Sequence, residues 1–123
     1  MKIKIVKDVN VTDQDIDDIM VTALEGGINY HVGEVEVKNK DYKGGKYASD
    51  VISRGGELIL HDMESEEYTR TLSKENFIEG LTKFLNEHTE IIDADGSIDC
   101  GAIDADYADV IIQYAVFGEL IFG

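Results

Sequence analysis

Three segments of this chain carry apolar residues at helical spacing, and they decide what it can fold into. In the first, Ile16, Ile19, Met20, Ala23 and Leu24 follow the i, i+3, i+4, i+7, i+8 rule of a one-sided helix. Thr12 precedes them as an N-cap, and Asp15 stands where a capping box places its acid. Asp13, Asp15, Asp17 and Asp18 suit the positive end of a helix, and Gly26-Gly27 supplies the stop. The expected helix runs from Asp13 to Glu25. A second is expected over Lys74 to Glu87, capped by Ser73, with Phe77, Ile78, Leu81, Phe84 and Leu85 on its apolar face. A third is expected over Ala105 to Phe117, capped by Asp104 and ended by Gly118. Ala108, Val110, Ile111, Ile112, Ala115 and Val116 make it apolar nearly all round, which predicts the most buried helix. A homodimer is expected if the monomer cannot cover that helix.

Between the helices the period changes to two. Residues 2–6 alternate Lys and Ile, residues 28–37 alternate Val and Glu, and Gly33 there marks a bulge. Glu57 to His61 reads as a strand, Asp62 to Glu66 as a turn, and Glu67 to Leu72 as the returning arm of a hairpin. Tyr47 to Ser53 suits either a short helix or a strand. Glu119 to Phe122 reads as a final strand. The expectation is an α+β fold, one domain over residues 1–123, with a mainly antiparallel sheet of about five strands packed against three helices.

Charge narrows the partners. The 123 residues hold 11 Lys and Arg against 26 Asp and Glu, a net charge of −15. A hydrophobic fraction of 43% sets the chain apart from disordered acidic proteins. Such a charge repels phosphate backbones and anionic lipid surfaces, so direct nucleic-acid and membrane binding are not expected. The acids are unevenly placed: residues 84–123 carry nine of them and no Lys or Arg. Asp93, Asp95, Asp99, Asp104, Asp106 and Asp109 form the densest part, the candidate contact surface for a basic protein. The N-terminal residues lack the apolar core of a secretory signal, and a single cysteine precludes an intramolecular disulfide. Both point to the cytoplasm.

Convincing motifs for chemistry are missing. Asp93, Asp95, Ser97 and Asp99 alternate oxygen donors, with Asp104 twelfth in the series, as in a calcium loop. However, the sixth position holds Ile98 rather than Gly, and the twelfth holds Asp rather than Glu. His31, His61, His88 and Cys100 show no zinc spacing. Cys100 lies among acids, which oppose the thiolate. Neither a metal nor a cofactor is expected. Lys38, Lys40, Lys43 and Lys46 interleave with Tyr42 and Tyr47, and Arg54 precedes Gly55-Gly56. That set is the alternative site, for an anionic nucleotide, although a solvated loop has the same composition.

Thr12 to Tyr30, Tyr47 to Asp62 and Ser97 to Gly123 together resemble small acidic proteins of phages and integrated elements in Gram-positive, Clostridium-like bacteria. The resemblance covers about half the chain and carries over no catalytic residue. It implies a setting in which small acidic proteins interfere with host defence, as anti-CRISPR or antirestriction proteins do. The expected function is therefore non-enzymatic: inhibition of a host nucleic-acid-handling or defence protein through an acidic surface. Sequestering a nucleotide is the alternative, and calcium binding or a phage accessory role the next.

Overall fold

Thr12 and Asp15 exchange hydrogen bonds at the start of α1 (Asp13–Thr22): the Asp15 N–H donates to Thr12 Oγ1 at 3.0 Å, and the Thr12 N–H to Asp15 Oδ2 at 2.9 Å. Residues 1, 3, 8–65 and 67–123 are described by the computed structural model. The strand expected over residues 2–6 lies outside the described residues. The last turn of the first helix widens into a π turn over Ala23–Gly27, which delivers the chain to β1 (Val32–Val37). β2 (Leu58–Asp62) and β3 (Thr69–Leu72) form the expected hairpin. Then come α2 (Lys74–Glu87) and α3 (Ala105–Phe117), bounded by Ser73, Asp104 and Gly118 as expected. No helix among the described residues is long and apolar enough to cross a membrane.

The sheet is antiparallel in the order β1-β2-β3, with Val37 opposite Leu58 and Leu58 opposite Leu72. The register slips between Val32 and Glu34, so Gly33 does sit in a bulge. Val37, Leu58, Leu60 and Leu72 are buried on one face, while Glu34, Glu36, Thr69 and Thr71 are exposed on the other. This is the pattern of a sheet covered on one side only. α3 lies at the centre, against α2, β3 and the π turn. Its Ala108, Ile111 and Ile112 are fully covered within one chain. Phe77 and Phe84 of α2 complete the core; burying each contributes about 2–3 kcal/mol of transfer free energy.

Two glycines permit close backbone approach. A Cβ at Gly80 would lie 2.6 Å from Ala115 N and 2.6 Å from Ile111 O, so α2 crosses α3 nearly backbone to backbone there. A Cβ at Gly27 would lie 2.7 Å from Ala105 O, which sets the π turn against the start of α3.

Among the described residues, the expected sheet of about five strands is corrected to three. Glu119 to Phe122 is not a strand, because a side chain takes the hydrogen bonds a neighbouring strand would have made. The N–H groups of Ile121 and Phe122 both donate to Gln113 Oε1 at 2.9 Å, and Gln113 Nε2 donates to the Phe122 carbonyl at 3.1 Å. Tyr47 to Ser53 resolves as a short 3-10 turn, Ala48–Asp50, held by Asp50 Oδ2 accepting from the Lys46 and Tyr47 N–H groups.

Candidate functional site

The acids of the C-terminal third do not stand alone, because the fold adds those of α1 to them. Asp93 to Ser97 close a tight turn in which the Ser97 hydroxyl donates to Asp95 Oδ1 at 2.6 Å and the Ser97 N–H to the same oxygen at 3.0 Å. The hydroxyl, then the amide, hold the Asp95 carboxyl below the ordinary carboxylate value. The Asn10 N–H donates to the Gly96 carbonyl at 2.8 Å and draws residues 8–10 alongside. The next turn, Cys100–Ala102, rests on α1, where the Cys100 thiol donates to Asp15 Oδ1 at 3.4 Å.

Helix geometry sorts the four acids of α1. Asp13 and Asp17 are one turn apart; Asp13 meets Lys74 Nζ at 3.3 Å, and Asp17 accepts from the Ser53 hydroxyl at 2.6 Å. Asp15 and Asp18 face the other way, toward Cys100. Burial pushes the Cys100 thiol up to about 12, reinforced by the Asp15 hydrogen bond and by the charges of Asp15, Asp18 and Asp99. Acids from the two ends of the chain, Asp15 and Asp18 on one side and Asp99 on the other, thus bear on one sulfur atom. Alkylation by iodoacetamide at pH 8 should run roughly a hundredfold or more slower than for a free thiol, and Asp15→Asn should accelerate it. A wild-type rate matching a free cysteine would contradict this arrangement.

Asp93, Asp95, Asp99, Asp104 and Asp106 are exposed. Asp104 also caps α3, with Oδ1 accepting from the Tyr107 N–H at 2.9 Å. Asp109 is the exception. It is 7% exposed and points inward, so it is not part of the outer surface. Among the described residues no three His, Cys, Asp or Glu side chains are placed to hold one metal ion. Asp93, Asp95 and Asp104 serve their own turns instead of converging.

The Lys-rich segment is largely compensated. Lys38 Nζ donates to Glu57 Oε2 at 2.7 Å, and Lys43 Nζ lies 3.1 Å from Asp41 Oδ2. Lys46 lies over the Tyr47 ring, and Arg54 Nη1 reaches the Lys43 carbonyl at 3.5 Å. Lys40 is exposed, on left-handed backbone. A depression of about 160 Å³ beside the loop is lined by Lys38 and Lys43 but equally by Asp41 and Glu57, so its local charge is balanced.

Asp109 belongs to a buried network that sequence reading missed. Its Oδ1 lies 2.8 Å from His31 Nε2, and its Oδ2 accepts from the Tyr30 hydroxyl at 2.6 Å and from Gln113 Nε2 at 3.0 Å. Burial alone would raise the Asp109 carboxyl. The bonds from His31, Tyr30 and Gln113 outweigh it and hold the carboxyl below its ordinary value. The Tyr30 phenol moves up to about 12, through burial first and Asp109 second. The signal in the sequence was the pair Asp109 and Gln113, four residues apart and flanking the apolar run Val110-Ile111-Ile112 of α3.

The His31 ring stacks on Phe122, with centroids 4.5 Å apart and planes 10° from parallel. Beside it opens a cleft of about 300 Å³ between the end of the sheet and the end of α3. Its walls are chiefly Val32, Leu60, Val116, Phe117 and Ile121, with Asp62, Tyr68 and Arg70 among them. Compared with known proteins, the chain matches no family model, no curated protein and no solved structure.

Proposed function

We propose that this protein is a non-enzymatic inhibitor from a phage or mobile element. It docks in the host cytoplasm on the basic groove of a nucleic-acid-handling or defence protein. The docking surface comprises Asp15 and Asp18 of α1 with Asp93, Asp95, Asp99, Asp104 and Asp106. The observation that supports this reading is the packing of the Cys100 turn on α1, which adds acids from the N-terminal third to a segment without a single Lys or Arg. Carboxylates gathered on one side compete with phosphates for the same guanidinium and ammonium groups.

Affinity capture from a bacterial lysate tests it. The expected result is a nucleic-acid enzyme retained at about 50 mM salt, largely released at about 200 mM, and displaced by added duplex DNA. Capture that persists through high salt and ignores DNA would overturn the reading.

A further inference from the structure

The cleft beside His31 is separate from the acidic face and has its own chemistry. Its interior is apolar, and its one arginine is oriented. The Arg70 guanidinium carbon lies 5.4 Å from the centre of the Phe117 ring, and among the described residues the side chain's only hydrogen bond is a long one, 3.4 Å, to the Thr69 carbonyl. Among the described residues no carboxylate pairs with it. Arg70 stands opposite Leu60 in the sheet, and Asp62 lies two residues further along β2, on the same face as Leu60. Asp62 Oδ1 accepts the Glu64 and Ser65 N–H groups at 2.8 and 3.1 Å, while Oδ2 has no partner among the described residues. One cation and one anion, neither satisfied by the other, therefore flank an apolar cavity.

We propose that this cleft binds a free apolar α-amino acid, with its carboxylate on Arg70, its ammonium on Asp62 Oδ2 and its side chain between Leu60, Val116 and Phe117. Size supports a small occupant, since about 300 Å³ is the lower end of the roughly 300–1,000 Å³ range of small-molecule sites. Charge supports a zwitterion. A protein at −15 repels a simple carboxylate, and Arg70 repels a simple amine, whereas a zwitterion carries no net charge and matches both groups. Burying either end of the ligand without its partner would incur an uncompensated desolvation penalty, so both groups contribute to selectivity.

Calorimetric titration of the whole protein with leucine and phenylalanine provides the test. 4-Methylpentanoate and 3-methylbutylamine, which each keep one charged end, serve as comparison ligands. Leucine or phenylalanine should bind at least tenfold tighter than either comparison ligand. Arg70→Met keeps the apolar stem over Phe117, and Asp62→Asn keeps the Oδ1 acceptor for its turn. Each should weaken amino-acid binding at least tenfold. No heat with any amino acid, equal binding of the carboxylate or the amine, or undiminished binding in folded variants would each overturn the proposal. The ligand series on the unmodified protein decides the matter even if a variant fails to fold.

Discussion

Gly80→Ala should destabilise this protein by about 3 kcal/mol, a fall in Tm of roughly 10 °C or more. The sign is the informative part. In an open helix interior, replacing Gly with Ala stabilises by about 1 kcal/mol, because Ala has the better helix propensity. At Gly80 the added methyl would lie 2.6 Å from both Ala115 N and Ile111 O of α3. Backbone atoms cannot rotate away as a side chain can, so the two helices must separate. Separation opens the core around Phe77, Phe84 and Ile111, all fully buried. Gly26→Ala is the matched control, since nothing lies within 4 Å of its Cβ position. Thermal unfolding of the two variants should move in opposite directions. A neutral or stabilising Gly80→Ala would mean that α2 and α3 do not cross there.

Asp109→Asn should cost about 3 kcal/mol at neutral pH, through loss of the charge that His31, Tyr30 and Gln113 all address. The pH dependence carries a sign. Because the folded-state carboxyl is held below its unfolded value, the contribution of Asp109 is fully present above about pH 4 and is lost as pH falls through the lower, folded-state value. Urea midpoints of the wild type should therefore drop on the acid side of pH 4, and Asp109→Asn should flatten that limb. Tyr30 behaves in the opposite sense. Its folded-state value is raised from 10.0 to about 12, so its contribution is complete below pH 10 and disappears as pH rises toward 12. An acid limb identical in wild type and variant would show that Asp109 is not held as an ion by this network.

The helices were legible because their signals are local. Ser73, Asp104 and Gly118 end α2 and α3 where their chemistry says, and the apolar spacing gives the buried faces. Only the end of the first helix departs from expectation, where Ala23–Gly27 forms a π turn whose Gly27 lies close against Ala105. The hairpin and the Gly33 bulge were legible for the same reason. The final strand was not, since Glu119 to Phe122 has a strand's composition but its N–H groups go to Gln113. That choice is made by tertiary packing, eight or nine residues away. The acidic site was half legible. Asp93 to Asp106 stand together in the chain, but Asp15 and Asp18 join them only through the Cys100 turn. Asp109 looked like one more surface acid because its partners, Tyr30 and His31, lie almost eighty positions away. The cleft had no sequence signal, since β2, β3, α3 and the tail each bring one or two residues to it.

The proposed docking surface depends on the position of the negative charge more than on its amount. Two triple variants remove the same charge from different places. One carries Asp15→Asn, Asp18→Asn and Asp99→Asn around Cys100; the other carries Glu34→Gln, Glu36→Gln and Glu64→Gln, with two of the three on the outer face of the sheet. The measurement is the affinity of each for an arginine-rich peptide, at about 50 mM salt where screening is weak. The first variant should lose at least tenfold in affinity and the second less than threefold. Equal losses would show that the peptide senses only net charge, and would contradict the gathering of α1 and the 93–106 segment into one docking surface.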